Sequence, residues 1–215
     1  MEITSKTPVL IVGTGPEARV VLDIANALDV MVYGFITDKE EETNLEINDL
    51  LILGQLGDKD VETLLQDEYT RIVIAVKEHD KRMEWVADLS SKSAEIISFV
   101  HPSAIISPYA RIGDGVVVYP GVTILSNSLI GAHSLIMSGT NIGADVEIGE
   151  YVTIEQGVQI GAGVVIDTEC FVGAGAVVQP EVGIGRESLI GAGSVVLTDI
   201  PENATAFGNP ARVVE

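Results

Sequence analysis

Cysteine is almost absent from this chain of 215 residues. Cys170 is the single one, which excludes an internal disulfide framework and a Cys-clustered zinc site, so no metal site is expected. Histidine is scarce as well: a reaction needing an imidazole has only His79, His101 and His133 to draw on. Aromatic residues make up 5% against 22 glycines, which excludes a core of large rings and favours one of small and β-branched side chains. Positive charge is the fourth shortage. Lys and Arg number 12 against 32 Asp and Glu, for a formal charge of −20. Such a chain repels phosphate backbones, and nucleic-acid binding is excluded. No basic stretch leading into an apolar run and a small-residue cleavage site opens the sequence, so no signal peptide is expected and the cytoplasm is the expected location. Residues 115–144 carry no charge, but Gly115, Pro120, Gly121, Asn127, Gly131, Gly139 and Asn141 interrupt them, and no membrane span is expected.

What is present falls into two patterns. Over residues 1–99, short apolar runs alternate with amphipathic ones. Residues 8–12 read as a buried strand ended by Gly13-Thr14-Gly15. Ala18, Val21, Leu22, Ala25 and Leu28 then recur at helical spacing over residues 17–28. Strands are expected at 31–37, 51–53, 71–76 and 95–100, with helices at 60–65 and 80–89. This alternation predicts βαβ units around a parallel sheet, a Rossmann-like α/β domain.

From residue 100 the period becomes six. Stepping from Val100 to Val196, all seventeen positions are Ile or Val, and two residues before each stands a small or β-branched residue, from Ser98 through Cys170 to Ser194. Neither a helix nor a plain alternating strand produces this; a strand-plus-turn repeat does, with both residues facing inward. Three repeats close a triangular coil of eighteen residues. Glycine often follows the anchor, at 113, 131, 143, 149, 161, 173, 185 and 191, and is expected to serve the turn. The domains are therefore 1–99 and 100–215, the second an all-β parallel β-helix.

These repeats, the ending Ile190-Gly191-Ala192-Gly193-Ser194-Val195-Val196 and the tail Gly208-Asn209-Pro210-Ala211-Arg212 resemble the hexapeptide-repeat acyltransferases with a left-handed β-helix. Val12-Gly13-Thr14-Gly15, Gly34-Phe35-Ile36-Thr37-Asp38 and His101-Pro102-Ser103-Ala104 are similar to a subgroup containing sialic-acid O-acetyltransferases and bacillosamine-type sugar N-acetyltransferases. The resemblance implies an acetyl-CoA-dependent acetyltransferase, a homotrimer, acting on an amino sugar or UDP-sugar in glycan or surface-polysaccharide biosynthesis. It implies a pantetheine arm lined by Gly161, Gly173, Ala174 and Gly191, and a tail that brings Arg212 to the coenzyme. It also implies a catalytic His where this chain has Ala144 and a second His where it has Thr153. A non-catalytic, sugar-nucleotide-binding trimer that has lost its base is the alternative.

The residues themselves narrow the candidates. His133 and Asp145 are the catalytic candidates, with Glu155 near the expected cleft. Residues 100–215 hold only Arg111, Arg186 and Arg212 as cations, so the phosphates of coenzyme A are expected at Arg186 or Arg212. Gly13 and Gly15 open a helix as in nucleotide-binding loops, and Asp38 ends the second strand as an acceptor for a ribose or base edge. Outward apolar residues, Val117, Leu125, Leu129, Leu135 and Met137, are expected to form the trimer contact.

Overall fold

Val9–Val12, buried at all four positions, forms β1 and lies inside a six-stranded sheet. Pro16–Ala27 follows as α1 and buries Ala18, Val21, Leu22, Ile24 and Ala25. The helix takes in Pro16 because proline at the first helical position lacks only an N–H that would have no partner there. Val32–Thr37 (β2), Glu46–Ile47 (β3), Leu50–Gln55 (β4), Lys59–Leu65 (α2), Arg71–Ile74 (β5), His79–Ser91 (α3) and Glu95–Ile96 (β6) come next in a computed structural model that describes residues 8–67 and 70–214. The sheet order is β3-β4-β2-β1-β5-β6, with β3 and β4 antiparallel and the other pairs parallel. After β1 the chain goes to β2 on one side and later to β5 on the other. The carboxyl ends of β1 and β5 therefore flank the crevice where open α/β sheets bind ligands. β5 stops at Ile74, two residues short of expectation, because Ala75-Val76-Lys77 leaves as a loop. The Val76 and Lys77 carbonyls each accept a hydrogen bond, both 2.9 Å, from Arg82, itself only 3% exposed.

A second compact unit runs from Val100. Seventeen two-residue strands, β7–β23, extend from Phe99–Val100 to Val195–Val196, so the run expected at 95–100 is two strands, not one. Each coil strand pairs in parallel with the one eighteen residues on: Val118 faces Ile136, then Ile154, Val172 and Ile190. Three sheets result, one per side of the triangle. Anchors from Val118 to Val196 are buried, and Ile and Val stack on one another at each level. Inward polar residues are satisfied by the next coil: Ser128, Ser134 and Thr140 donate to the carbonyls of Gly143, Gly149 and Glu155 at 2.7, 3.0 and 3.0 Å. Cys170 does the same toward Gly185 at 3.1 Å, and burial pushes its thiol up to about 11. Cys170 is a packing residue. The tail continues the first side as Thr205–Gly208 (β24) and Ala211–Val214 (β25), which pair antiparallel.

Two expectations change. The glycines directly after the anchors are not there for the turn. Left-handed φ, from 56° to 72°, falls two residues later, at Gly121, His133, Asp145, Tyr151, Gly157 and their equivalents. The post-anchor glycines serve close approach: a Cβ on Gly143 would stand 2.7 Å from the Ala162 nitrogen, and one on Gly161 2.4 Å from that of Pro180. Secondly, Val117, Leu135 and Met137 are buried within the chain, which leaves Leu125 and Leu129 of the five apolar residues on the surface. No helix among the described residues is long and apolar enough to cross a membrane, and the uncharged segment is β-helix coil.

Candidate active site

In the α/β unit the loop after β1 and the loop after β2 are joined by one carboxylate. Thr14 Oγ1 donates to Glu42 Oε2 at 2.5 Å, Thr37 Oγ1 donates to the same oxygen at 2.8 Å, and Lys39 Nζ meets Oε1 at 2.7 Å. These bonds, from Lys39 first and then Thr14, hold the Glu42 carboxyl down to about 2. Gly13 and Gly15 flank Thr14, and Asp38 follows Thr37, so the three residues expected to bind substrate belong to one connected cluster. Gly13 has φ 123°, and a Cβ there would come within 2.4 Å of the Ala75 carbonyl oxygen across the crevice. Asp38 is not a free acceptor. Lys81 Nζ reaches Oδ2 at 2.5 Å and also lies 4.7 Å over the Trp85 ring. Arg19 caps the other side of the loop, donating to the Thr14 and Gly15 carbonyls at 3.4 and 3.2 Å. His79 begins α3 with Nε2 3.2 Å from Asp80 Oδ1.

In the β-helix the corners decide what a coil can offer. Ala144 is half-buried at the corner after the second side, and its carbonyl accepts from Gly163 N–H. Asp145 adjoins it, exposed, accepting a hydrogen bond from Asn127 Nδ2 at 3.0 Å. His133 stands at the corner after the third side, stacked on Tyr151 one coil along, with ring centroids 5.1 Å apart. A single chain therefore keeps His133 and Asp145 at different corners. Thr153 is 1% exposed and accessible to no substrate. A groove of about 400 Å³ runs along the second side, with Gly143 and Gly161 beside Leu125, Asn141, Gln159 and Pro180. Gly173, Ala174 and Gly191 lie instead at the corner after the first side, where Glu155 Oε2 accepts the Ala174 N–H at 3.1 Å. Arg186 is engaged by two carboxylates, Glu169 at 2.7 Å and Glu187 at 3.0 Å. Arg212, on β25, donates to the Ala211 carbonyl and makes no ion pair among the described residues.

Glu42, Arg19, Lys81 and Arg82 were not singled out from the sequence. Glu42 closes the run Asp38-Lys39-Glu40-Glu41-Glu42, which reads as a solvated charged turn; only the tertiary approach of Thr14 distinguishes it from its neighbours.

Three family models match: the PglD N-terminal domain over residues 8–89, the bacterial transferase hexapeptide (six repeats) over 127–162, and the hexapeptide repeat of succinyl-transferase over 166–198. The chain thus carries a PglD-type N-terminal α/β domain followed by a left-handed parallel β-helix of bacterial-transferase hexapeptide repeats. No protein of curated function matches it in sequence. Among solved structures, two variants of the GDP-perosamine N-acetyltransferase from Caulobacter crescentus, each bound to CoA and GDP-perosamine, are 28% and 29% identical. Each aligns over 97% of both chains with a TM-score of 0.91. In these variants one histidine is replaced by asparagine or by alanine. The acetyltransferase domain of PglB from Neisseria gonorrhoeae is 23% identical, aligns over 97% of this chain and 100% of its own with a TM-score of 0.87, and shares the fold.

Proposed function

We propose that this chain transfers an acetyl group from acetyl-CoA to the amine of a nucleotide-linked amino sugar. The observation that carries this reading is end-to-end likeness to an enzyme that holds CoA and GDP-perosamine together, with both the α/β crevice and the coil groove present here. The amine nitrogen attacks the thioester carbonyl. A C–N bond forms, the C–S bond breaks, the amine gives up a proton and CoA leaves as the thiol. Holding thioester and amine together supplies much of the rate in such a transfer.

We propose further that the chain works as a homotrimer in the cytoplasm, where its acyl donor is found. Gly161 lies at one corner of the coil and Gly173, Ala174 and Gly191 at another, so packing one copy's corner against the next copy's would line a single arm-binding cleft with all four. Exposed Leu125, Leu129, Val165, Leu189 and Leu197 suit such packing. In that assembly His133 or Asp145 takes the amine proton, and Arg212, with no ion pair among the described residues, meets the coenzyme phosphates in preference to Arg186. Ala144 favours the second reading, a binding trimer without turnover. Binding alone does not separate the two, since the Caulobacter enzyme holds both ligands with one histidine replaced by alanine.

The test is thiol release from acetyl-CoA across a panel of GDP- and UDP-linked amino sugars. Release that depends on the amino sugar supports the transferase. Tight acetyl-CoA binding with no release from any acceptor would favour the non-catalytic reading.

A further inference from the structure

We infer that Glu42 is a positioning residue for the sugar nucleotide, holding the Gly13-Thr14-Gly15 loop shut against the end of β2; this rests on the proposed function. Both glycines flanking Thr14 leave that loop with unusual backbone freedom, and Gly13 must keep φ 123° beside Ala75. Arg19 holds the loop's carbonyls on one side, and Glu42 ties the loop to the end of β2 on the other. Glu42 Oε2 accepts hydrogen bonds from the hydroxyls of Thr14 and of Thr37, which is fully buried. Thr37 Oγ1 in turn accepts the Lys39 N–H at 3.1 Å, so the network closes on itself. Because Thr14 turns its hydroxyl to Glu42 and the Gly13 N–H donates to the Ile36 carbonyl at 2.8 Å, the backbone N–H groups of Thr14 and Gly15 are what remain of the loop to face a ligand. A bare carboxylate here would repel a diphosphate. Lys39 at 2.7 Å removes that penalty, making Glu42 with Lys39 a neutral clamp. A ligand that finds the loop already ordered binds more tightly than one that must order it.

The experiment measures GDP and UDP binding to the full chain by calorimetry, amide hydrogen exchange at Thr14 and Gly15, and steady-state kinetics. Glu42→Ala should weaken the tighter-binding nucleotide about tenfold, the equivalent of ordering one backbone residue. It should raise KM for the nucleotide sugar by the same factor, leave kcat and the KM for acetyl-CoA unchanged, and speed exchange at Thr14 and Gly15. Glu42→Gln, which retains one acceptor oxygen and guards against a folding defect, should fall between. Lys39→Met should weaken the diphosphates more than the corresponding nucleosides. Unchanged affinity and unchanged exchange in Glu42→Ala would overturn the positioning role and leave the transferase reading intact. A wild type that binds neither GDP nor UDP while exchange still rises in Glu42→Ala would overturn the nucleotide reading, and the positioning role with it.

Discussion

The two units are built on opposite economies of charge. In the α/β unit, separate loops meet through charged side chains: Glu42 with Thr14, Thr37 and Lys39, Asp38 with Lys81, Arg82 with two carbonyls. In the β-helix the main chain carries the structure, coil on coil, and buried polar side chains such as Ser128 and Thr140 only complete its hydrogen bonds. A crevice made of side chains can change its ligand by changing one residue. A cleft made of stacked backbone has few residues free to change, and its chemistry hangs on the occasional corner side chain. Ala144, where the resemblance implies a catalytic His, is the corner proposed to matter most.

The largest effect expected is therefore at that corner. Ile142 and Ile148 pin the register, both buried, so position 144 cannot shift along the coil. Ala144→His should raise turnover by about 10²-fold, the lower end of what a general base contributes, and add an inflection near the ordinary imidazole pKa of about 6.5 to the pH profile. If His133→Ala abolishes turnover while Ala144→His changes nothing, the stacked His133 is the base, and side-chain chemistry has moved to another corner.

Backbone dominance in the coil can be broken directly. Gly161→Ala places a Cβ 2.4 Å from the Pro180 nitrogen, whereas a Cβ on Gly157 meets nothing within 4 Å and suffers only from φ 72°. Thermal unfolding should show Gly161→Ala costing about 3 kcal/mol and Gly157→Ala about 1–2 kcal/mol. Equal losses would mean that coil spacing yields easily and that turn conformation limits the repeat.

The same contrast explains what the sequence disclosed. The coil was legible because each position repeats its role every six residues: the inward face of Val100 to Val196 could be read without knowing any contact, as could the burial of Cys170. What misled was the glycine after the anchor, since the sequence shows where glycine recurs but not whether φ or a neighbouring coil demands it. In the α/β unit the strands and helices were readable to within two residues at most ends. The clamp was not, because Glu42 is twenty-eight residues from Thr14 and differs in nothing local from Glu40 or Glu41. Likewise, of the two partners of Arg186, Glu187 adjoins it in sequence but Glu169 comes from the coil stacked beside it, and no local pattern marks Glu169 as taking its charge.

That last point yields a smaller prediction on the coenzyme. Arg212→Ala should weaken CoA about tenfold and dephospho-CoA less, with the difference shrinking as salt is added, while Arg186→Ala should change neither. Competition binding with the two ligands at low and high salt measures this. Equal losses for both ligands in Arg212→Ala would remove it from the 3′-phosphate.

The smallest effect expected separates the charge-built unit from the backbone-built one by pH alone. Glu42 titrates at about 2 in the folded chain against an ordinary value of 4.5. A carboxyl whose folded pKa is depressed adds stability that is complete above its unfolded pKa and is lost as pH falls toward the folded one. The wild type should therefore exceed Glu42→Gln in stability at neutral pH, by about 1 kcal/mol after allowing for the partial exposure of the pair. The gap should stay level down to about pH 5 and close between there and pH 2. Denaturant unfolding of both forms across that range, followed at the single tryptophan, Trp85 of the α/β unit, reads the difference in the unit where it arises. The β-helix of Glu42→Gln, followed by far-ultraviolet circular dichroism, should unfold as the wild type does at every pH. A gap that persists unchanged at pH 2 would show that Glu42 holds the loop by shape and hydrogen bonding alone, so that the charge on the clamp is incidental.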